Sequence, residues 1–389
     1  MNNFVYHIPT KVYFGKGQIE NLACAAREYG TRVLVVSYLG CSPAEQRIYH
    51  EVIENLKQGG LSVWELRDVQ ANPRVSSINE GARLCRAHEI ELVLGVGGGS
   101  AIDCAKGIAE AAGYPGDAWD LVLDNSKVGK VLPVACVATI AASGSEMDTS
   151  AVISNPDTNE KLMLFNDNAR PKFSILDPTY TFSVPPFQTA VGSIDIVSHV
   201  MEVYFSQMKD AYLQDRIAEA IMKTCMHYAR TAIEEPDNYE ARANLLWAAS
   251  LAINGLISCG KGGDWAVHNI EHEISAYFPK VTHGAGIAVI TPHWMEYTLD
   301  ESTVERYQQF AENVCAVPTG LEPFEAAKQG IAAFKAFYAS LNLPTTLREL
   351  GVTEEYFPDM ARGAVRNGPI CGFRTLEYDD VLQILKNAY

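Results

Sequence analysis

Residues 92–103 read LVLGVGGGSAID, an apolar strand-like run that continues directly into three glycines and the start of a helical pattern. A strand, a glycine turn and a helix in this order expose backbone N–H groups at the amino end of the helix. The helix dipole favours an anion at that point, and the missing side chains let a phosphate approach closely. The segment therefore predicts a dinucleotide-binding turn. The alternative interpretation is that the glycines serve only a tight turn.

Strand and helix patterns alternate through the first half of the chain, as a parallel sheet covered by helices requires. The predicted strands are 32–36, 61–66, 92–96, 132–137 and 173–176, and the predicted helices between them are 18–29, 44–58, 75–88 and 100–111. After Pro185 and Pro186, strand-like runs nearly vanish and long amphipathic segments follow one another. The predicted helices there are 187–205, 211–233, 239–256, 265–277, 284–297, 303–314, 323–341 and 378–386.

These patterns predict two domains, an α/β dinucleotide-binding domain over residues 1–184 and an all-α domain over residues 185–389. Residues 241–256 are apolar on nearly all sides, which is typical of a helix at the centre of a bundle. The length of 389 residues allows each domain to bury its own core.

Charge and composition exclude several classes of function. The chain carries 31 Lys and Arg against 47 Asp and Glu, so its net charge of −16 argues against nucleic-acid and membrane-surface binding. No apolar stretch approaches the roughly 20 residues that a membrane-spanning helix needs. The nine cysteines contain no C-x-x-C pair, which argues against a disulfide framework and a thiolate zinc site. We therefore expect a cytoplasmic protein.

Two further strand ends are candidates for the same ligand site, because open α/β sheets bind ligands at the carboxyl ends of their strands. Residues 139–146 read TIAASGSE and supply small and hydroxyl side chains, although a serine-rich turn that caps a helix is the alternative. Residues 37–42 read SYLGCS and contain no acid that would bind the ribose 2′-hydroxyl of NAD. This absence favours NADP and leaves NAD open.

One acid and several histidines recur at helical spacing in the second half. Asp195 and His199 lie four residues apart, His268 and His272 repeat that spacing, and His283 follows beside a glycine. Residues four apart share one face of a helix. One carboxylate and three imidazoles form a ligand set suited to Fe²⁺ or Zn²⁺. Each pair alone also arises by chance, so the inference depends on their clustering.

Taken together, these motifs resemble the iron-containing (group III) alcohol dehydrogenases, and most closely their butanol dehydrogenase and aldehyde reductase branch. The similarity runs through PTKVYFGKG, GGGSAIDCAK, ATIAASGSE, ILDPTYTFSVPP, DIVSHVMEVY and HNIEHEISAYFPKVTHG. It implies a dehydroquinate synthase-like architecture, one divalent cation and a homodimer. By position it implies Asp195, His199, His268 and His283 as metal ligands. The implied coenzyme contacts are Tyr38, Ser42, Gly98, Gly99, Ser100, Asp103, Thr139, Ser143 and Lys161.

The resemblance also implies a reaction, in which a hydride passes between NAD(P)H and a short-chain alcohol or aldehyde. His272 is the predicted catalytic residue: it relays a proton or, alternatively, orients a ligand through a hydrogen bond. Two departures from the commonest family pattern are a His272–His283 interval longer by one residue and Ser275 in place of glycine. Two other functions stay open at this point, a lyase of the dehydroquinate synthase type and a non-catalytic nucleotide- or metal-binding protein.

Overall fold

Short apolar runs pair as a parallel sheet in the computed structural model, which describes residues 1–38 and 42–389. The strands of this sheet are β1 (Lys11–Phe14), β2 (Arg32–Tyr38), β3 (Ser62–Val69), β4 (Leu92–Gly97), β5 (Val134–Ala138) and β8 (Phe173–Leu176). Their spatial order is β1-β8-β5-β4-β2-β3. Two more strands, β6 (Ser150–Asn155) and β7 (Glu160–Phe165), form a separate antiparallel hairpin.

The chain divides into two units, which we call the sheet unit and the helical unit. The sheet unit consists of His7–Val184 and Glu235–Asn254, and the helical unit consists of Met1–Tyr6, Pro185–Glu234 and Gly255–Tyr389. This division differs from the predicted one in two segments. Met1–Tyr6 belongs to the helical unit, and Glu235–Asn254 belongs to the sheet unit.

Helices cover both faces of the sheet because successive side chains of its strands point to opposite sides. Val33 and Val35 belong to one apolar cluster, whereas Leu34 and Val36 belong to another. The first cluster is closed by α1 (Leu22–Arg27) and α2 (Pro43–Gln58). The second is closed by α3 (Val75–Ala87), α4 (Gly99–Ala111) and α5 (Trp119–Leu123). Burial on both faces explains why these strands are almost continuously apolar.

Helix α8 (Tyr239–Ile253) is the apolar segment that we predicted for the centre of the helical domain, and that prediction is wrong. Its Leu246 packs against Ile102, Cys136 and Leu176 of the sheet unit. A Cβ at Gly144 would lie 2.3 Å from the carbonyl oxygen of Ala249, so the backbones meet directly there. The apolar character of α8 therefore reflects burial against the sheet unit.

The helical unit is built around α6 (Pro186–Tyr204), in which every residue from Thr189 to Tyr204 is buried. The other helices of this unit are α7 (Tyr212–Glu234), α9 (Ala266–Tyr277), α10 (His283–Thr298), α11 (Val304–Asn313), α12 (Pro323–Ser340), α13 (Phe357–Ala364) and α14 (Tyr378–Asn387). Helices α7, α9 and α10 all pack on α6. A helix surrounded in this way can hold polar side chains only if they have partners.

The predicted fold class, an α/β domain followed by a helical domain, is confirmed. The elements β1, β6, β7, α5 and α13 were not predicted, and the predicted helix 18–29 is a 3₁₀ turn followed by the shorter α1. Among the residues described, no helix is both long and apolar enough to span a bilayer.

Candidate functional site

The glycine turn after β4 is required by close packing. Gly97 ends the strand with a φ of 145°, which side-chain-bearing residues rarely adopt. A Cβ at Gly97 would lie 2.5 Å from the ring of Tyr38, and a Cβ at Gly99 would lie 2.4 Å from Oγ of Ser143. Larger residues would therefore push these neighbours apart. The turn brings Tyr38, Gly98, Gly99 and Ser143 together at the amino end of α4.

Tyr38 closes one side of this turn. Its hydroxyl oxygen accepts a hydrogen bond of 3.2 Å from the backbone N–H of Gly98. Burial raises the pKa of Tyr38 to about 12, so the phenol is neutral at physiological pH. Ser42 lies at the N-cap of α2, where it accepts a hydrogen bond from the N–H of Glu45. The predicted strand tip between Tyr38 and Ser42 lies outside the residues that the structure describes.

Asp103 is held by the loop that follows β5 and by strand β6. Its carboxylate accepts a 2.5 Å hydrogen bond from the hydroxyl of Ser145 and a 3.0 Å bond from the N–H of Val152. Burial raises the pKa of this carboxyl to about 6. Lys106, one turn later in α4, donates to Ser145 and forms a buried ion pair with Asp148. This network, which we call the α4 anchor (Asp103, Lys106, Ser145 and Asp148), fixes α4 to the neighbouring loop.

The remaining predicted coenzyme residues have individual positions in the sheet unit. Ser100 accepts a hydrogen bond from the N–H of Asn72, and the N–H of Thr139 donates to the carbonyl of Gly97. Lys161 is buried in β7, opposite Ser154. Thr139 and Ser100 thus flank the glycine turn. The coenzyme-binding role of all these residues stays a prediction.

The helical unit brings the predicted acid and imidazoles to one point. Asp195 and His199 come from α6, His268 from α9 and His283 from the first position of α10. Oδ1 of Asp195 lies 3.9 Å from Nε2 of His199, 3.8 Å from Nε2 of His268 and 3.6 Å from Nε2 of His283. Asp195, His199 and His268 are all buried. We call these four side chains the cation cluster.

The distances within the cation cluster fit a divalent ion. Metal–ligand bonds of about 2.1 Å in tetrahedral geometry place neighbouring ligand atoms roughly 3.4 Å apart. Separations of 3.6–3.9 Å are too long for hydrogen bonds and close to that value. Oδ1 of Asp195 and Nε2 of His268 have no hydrogen-bond partner among the described residues, although both atoms are buried. Buried polar atoms that converge without bonding each other are what a cation would satisfy.

The electrostatics of the cation cluster point the same way. Burial opposes ionisation of Asp195, but the nearby imidazoles outweigh burial and hold its pKa below the usual value. Burial also disfavours a charged His268, yet the carboxylates of Asp195 and Glu202 raise the pKa of that imidazole to about 9. Burial lowers the pKa of His199 to about 3. The carboxylates of Asp195 and Glu202 therefore favour a positive charge at this point.

Two glutamates that sequence reasoning missed orient the imidazoles. Glu202 lies 2.9 Å from Nδ1 of His268 and also accepts a 2.9 Å bond from its backbone N–H. Glu271 contacts Nδ1 of His283. Each glutamate stands three residues after a predicted ligand, Glu202 after His199 and Glu271 after His268. An acid at this helical spacing within an apolar helix was the available signal.

His272 lies beside the cation cluster without joining the Asp195 group. Its ring centroid is 5.4 Å from that of His283 and 6.2 Å from that of His268. Together with Glu271 and His283 it forms a second group of potential ligand atoms. Its predicted catalytic role stays a prediction.

Comparisons with known proteins cover the whole chain. The family profile described as "Iron-containing alcohol dehydrogenase" matches residues 9–178, and "Fe-containing alcohol dehydrogenase family, C-terminal" matches residues 189–389. NADH-dependent butanol dehydrogenase A of Clostridium acetobutylicum is 48% identical over 391 residues, and the match covers 100% of this chain and 100% of that protein. NADPH-dependent aldehyde reductase YqhD of Escherichia coli is 35% identical over 95% of this chain and 94% of its own. The crystal structure of NADH-dependent butanol dehydrogenase A from Thermotoga maritima has a TM-score of 0.94 at 36% identity, covering 100% of this chain and 99% of its own.

Proposed function

The chain belongs to the iron-containing alcohol dehydrogenase family, and on that premise we propose that it interconverts short-chain aldehydes and alcohols with NAD(P)H as the hydride donor. The observation that carries this proposal is the convergence of Asp195, His199, His268 and His283 on one point. In the same chain, a glycine turn at the amino end of α4 suits a pyrophosphate.

In this proposal the cation cluster holds one Fe²⁺ or Zn²⁺ ion. A divalent cation at this position supplies Lewis acidity to a carbonyl oxygen of the substrate. Asp195 provides the anionic ligand, and neutral imidazoles complete the set. Glu202 keeps the Nδ1 side of His268 engaged, so that its Nε2 faces Asp195. Both metals accept this ligand set, and availability decides which is loaded.

The coenzyme would bind to the sheet unit through the glycine turn. Gly98 and Gly99 lie at the amino end of α4, where the helix dipole favours a phosphate, and to bind it the N–H of Gly98 would have to exchange its bond to Tyr38. Ser100, Thr139 and Ser143 add polar groups around the same turn, with Asp103, Lys161, Tyr38 and Ser42 as the further predicted contacts. A nicotinamide coenzyme supplies the hydride. The absence of an acid from residues 37–42 favours NADPH, whereas the two relatives at 48% identity are named as NADH-dependent.

Each predicted domain has one role in this proposal. Residues 1–184 bind the dinucleotide, and residues 185–389 bind the metal and the substrate. In support, the predicted coenzyme residues all lie in the sheet unit and the cation cluster lies wholly in the helical unit.

A proton must accompany the hydride, and His272 is the residue predicted to carry it. The ring is half-buried and lies 5.4 Å from His283, so it stands at the boundary of the cluster. An imidazole changes charge near neutral pH and can pass a proton from one ring nitrogen to water. We assign this relay to His272. A role limited to orienting a ligand would leave the pH profile unchanged when His272 is replaced.

We also propose that the protein is a cytoplasmic homodimer. The strand β1 lies at the edge of the sheet, and its last residue, Phe14, forms an aromatic pair with Trp247 in which each side chain is more than a third exposed. Such an edge and aromatic pair suit a second copy of the chain. The cysteines within the described residues are free thiols, which suits a reducing compartment. Analytical ultracentrifugation tests the dimer.

The decisive experiment combines elemental analysis of the purified protein with oxidation of NADPH and of NADH in the presence of butyraldehyde. We expect about one divalent ion per chain and coenzyme oxidation that depends on the aldehyde. A dehydroquinate synthase-type lyase would show no net coenzyme consumption. A His268→Ala variant that retains both its metal and its turnover would refute the proposed site.

A further inference from the structure

Glu271 is a buried carboxylate with two specific partners. Its side chain is completely inaccessible to solvent, within helix α9. One carboxylate oxygen, Oε1, accepts a hydrogen bond from the hydroxyl of Ser275, one turn later in the same helix. The other oxygen, Oε2, contacts Nδ1 of His283 at the start of α10. Both oxygens are therefore used, and the carboxylate connects α9 to α10.

The first turn of α10 is shaped to admit this carboxylate. A Cβ at Gly286 would lie 2.8 Å from Cγ of Glu271 and 3.1 Å from Oε1. Glycine is unfavourable inside a helix, so a glycine here indicates that close packing demands it. The amino end of α10 also carries a partial positive charge, which favours an acidic side chain beside it. Sterics and charge thus support the same position of Glu271.

The contact with Glu271 determines which nitrogen of His283 is available. A neutral imidazole has one N–H group and one lone pair. With the N–H on Nδ1 and directed to Glu271, Nε2 keeps its lone pair, and that atom lies 3.6 Å from Oδ1 of Asp195. The hydrogen bond therefore orients His283 for binding a cation and makes Nε2 more basic.

His283 is the ligand that needs such support. Its side chain is 25% exposed, whereas those of His199 and His268 are 6% exposed. Water reaches the most exposed ligand first, so loss of a cation begins there. Holding His283 in place therefore governs the rate at which the cation is released.

We propose that Ser275 and Glu271 form a lock on His283 that sets how tightly the cation is retained. Ser275 fixes Glu271, and Glu271 fixes the tautomer and orientation of His283. Both are positioning residues in this proposal, since neither belongs to the cation cluster and both act through His283. The inference rests on the proposed function, because it assumes that the cation cluster holds a metal.

The test measures metal release from the full-length protein loaded with Zn²⁺ or Co²⁺, using a chelator in excess. We expect Glu271→Gln to accelerate release about 10–100-fold, as for other partners that orient metal-bound imidazoles. Ser275→Ala should accelerate release several-fold, and Ser275→Thr should restore the rate because it keeps the hydroxyl. The Co²⁺ absorption spectrum should shift in Glu271→Gln.

Ser193→Ala is the matched control. Ser193 is also a buried helical serine, and its hydroxyl donates to the carbonyl of Thr189, four residues earlier, as Ser275 donates to Glu271. It has no link to an imidazole through that bond, so release should stay at the wild-type rate. If Glu271→Gln fails to fold, Gly286→Ala gives the second test. It keeps every polar group, displaces Glu271 and should also accelerate release.

Three results would overturn the inference. Wild-type release rates in both Glu271→Gln and Gly286→Ala would show that the lock has no effect. Two ions per chain, with one lost in Glu271→Gln, would make Glu271 a ligand of a second ion with His272 and His283. A wild-type protein that binds no divalent ion would overturn the proposed metal site itself and the lock with it.

Discussion

Replacing Lys106 with methionine tests whether the α4 anchor supports the sheet unit. Lys106 is completely buried, and its ammonium group pairs with Asp148 while donating to the hydroxyl of Ser145 at 2.9 Å and to the carbonyl of Ser150 at 2.8 Å. Methionine preserves most of the side-chain volume but removes the charge and the donors. Asp148, which is 7% exposed, is left without its cation.

The expected loss of stability follows from the burial of this pair. Removing one partner of a buried ion pair costs about 3–5 kcal/mol, because the other charge remains uncompensated. Burial already raises the pKa of Asp148, and loss of Lys106 would raise that pKa further. A carboxyl whose pKa is higher in the folded state binds protons on folding, so its contribution to stability falls as pH rises. The destabilisation should therefore be largest at high pH and shrink as Asp148 becomes protonated.

Urea unfolding of the wild type and variants, followed by circular dichroism at several pH values, measures this effect. Lys127→Met is the matched control, because Lys127 is exposed in the same unit and its replacement should change stability by less than about 0.5 kcal/mol. Adding Asp148→Asn to Lys106→Met should recover part of the loss, since it removes the unpaired charge. A loss below about 1 kcal/mol for Lys106→Met, as for exposed pairs, would show that the burial argument is wrong.

Three further predictions concern the sites themselves. His268→Ala should abolish metal retention and activity together while coenzyme binding persists, as elemental analysis and coenzyme titration would show; full turnover without metal would contradict this. His272→Ala should lower the rate and alter its pH profile with the metal retained, and a metal-depleted variant would instead identify His272 as a ligand. Gly99→Ala places a Cβ 2.4 Å from Oγ of Ser143, so the start of α4 must shift, and coenzyme binding should weaken about tenfold or more with metal content unchanged. An unchanged coenzyme affinity would exclude the glycine turn as the binding site.

The sequence predicted the elements whose side chains have a regular period. Strand β8 was predicted over the same residues that it occupies. In the structure, β2 is two residues longer and β4 one residue longer than predicted. The edge strand β1 was missed although it is as long as β8, because β1 is only partly buried and begins with a lysine, whereas β8 is buried at all four positions. Helix α8 was predicted, but its place was not, because an apolar surface does not specify which elements cover it. That information lies in pairings such as Leu246 with Leu176, which are distant in the chain.

Three of the four predicted ligands could be found because they lie at helical spacing from another acid or histidine, whereas His283 was indicated only by the resemblance and by its place after that pair. Asp195 and His199 share one face of α6, and His268 was paired with His272 by the same rule. The structure separates that second pair, since His268 faces Asp195 and His272 lies beside Glu271 and His283. Spacing gives the face of a helix, but the neighbouring helix decides which residue of the pair meets the shared point.

Unsatisfied polar atoms distinguish a ligand site from a buried structural group only when their surroundings are considered. Both oxygens of Glu110 are buried without a hydrogen-bond partner in the described part of the chain, and burial raises its pKa to about 8, so the carboxyl is protonated in the fold. Oδ1 of Asp195 is equally without such a partner, yet the pKa of that carboxyl is lowered because imidazoles outweigh burial. Glu110 relieves its burial by taking up a proton. Asp195 instead lies where further ligand atoms converge without bonding one another, and one cation would satisfy these atoms together.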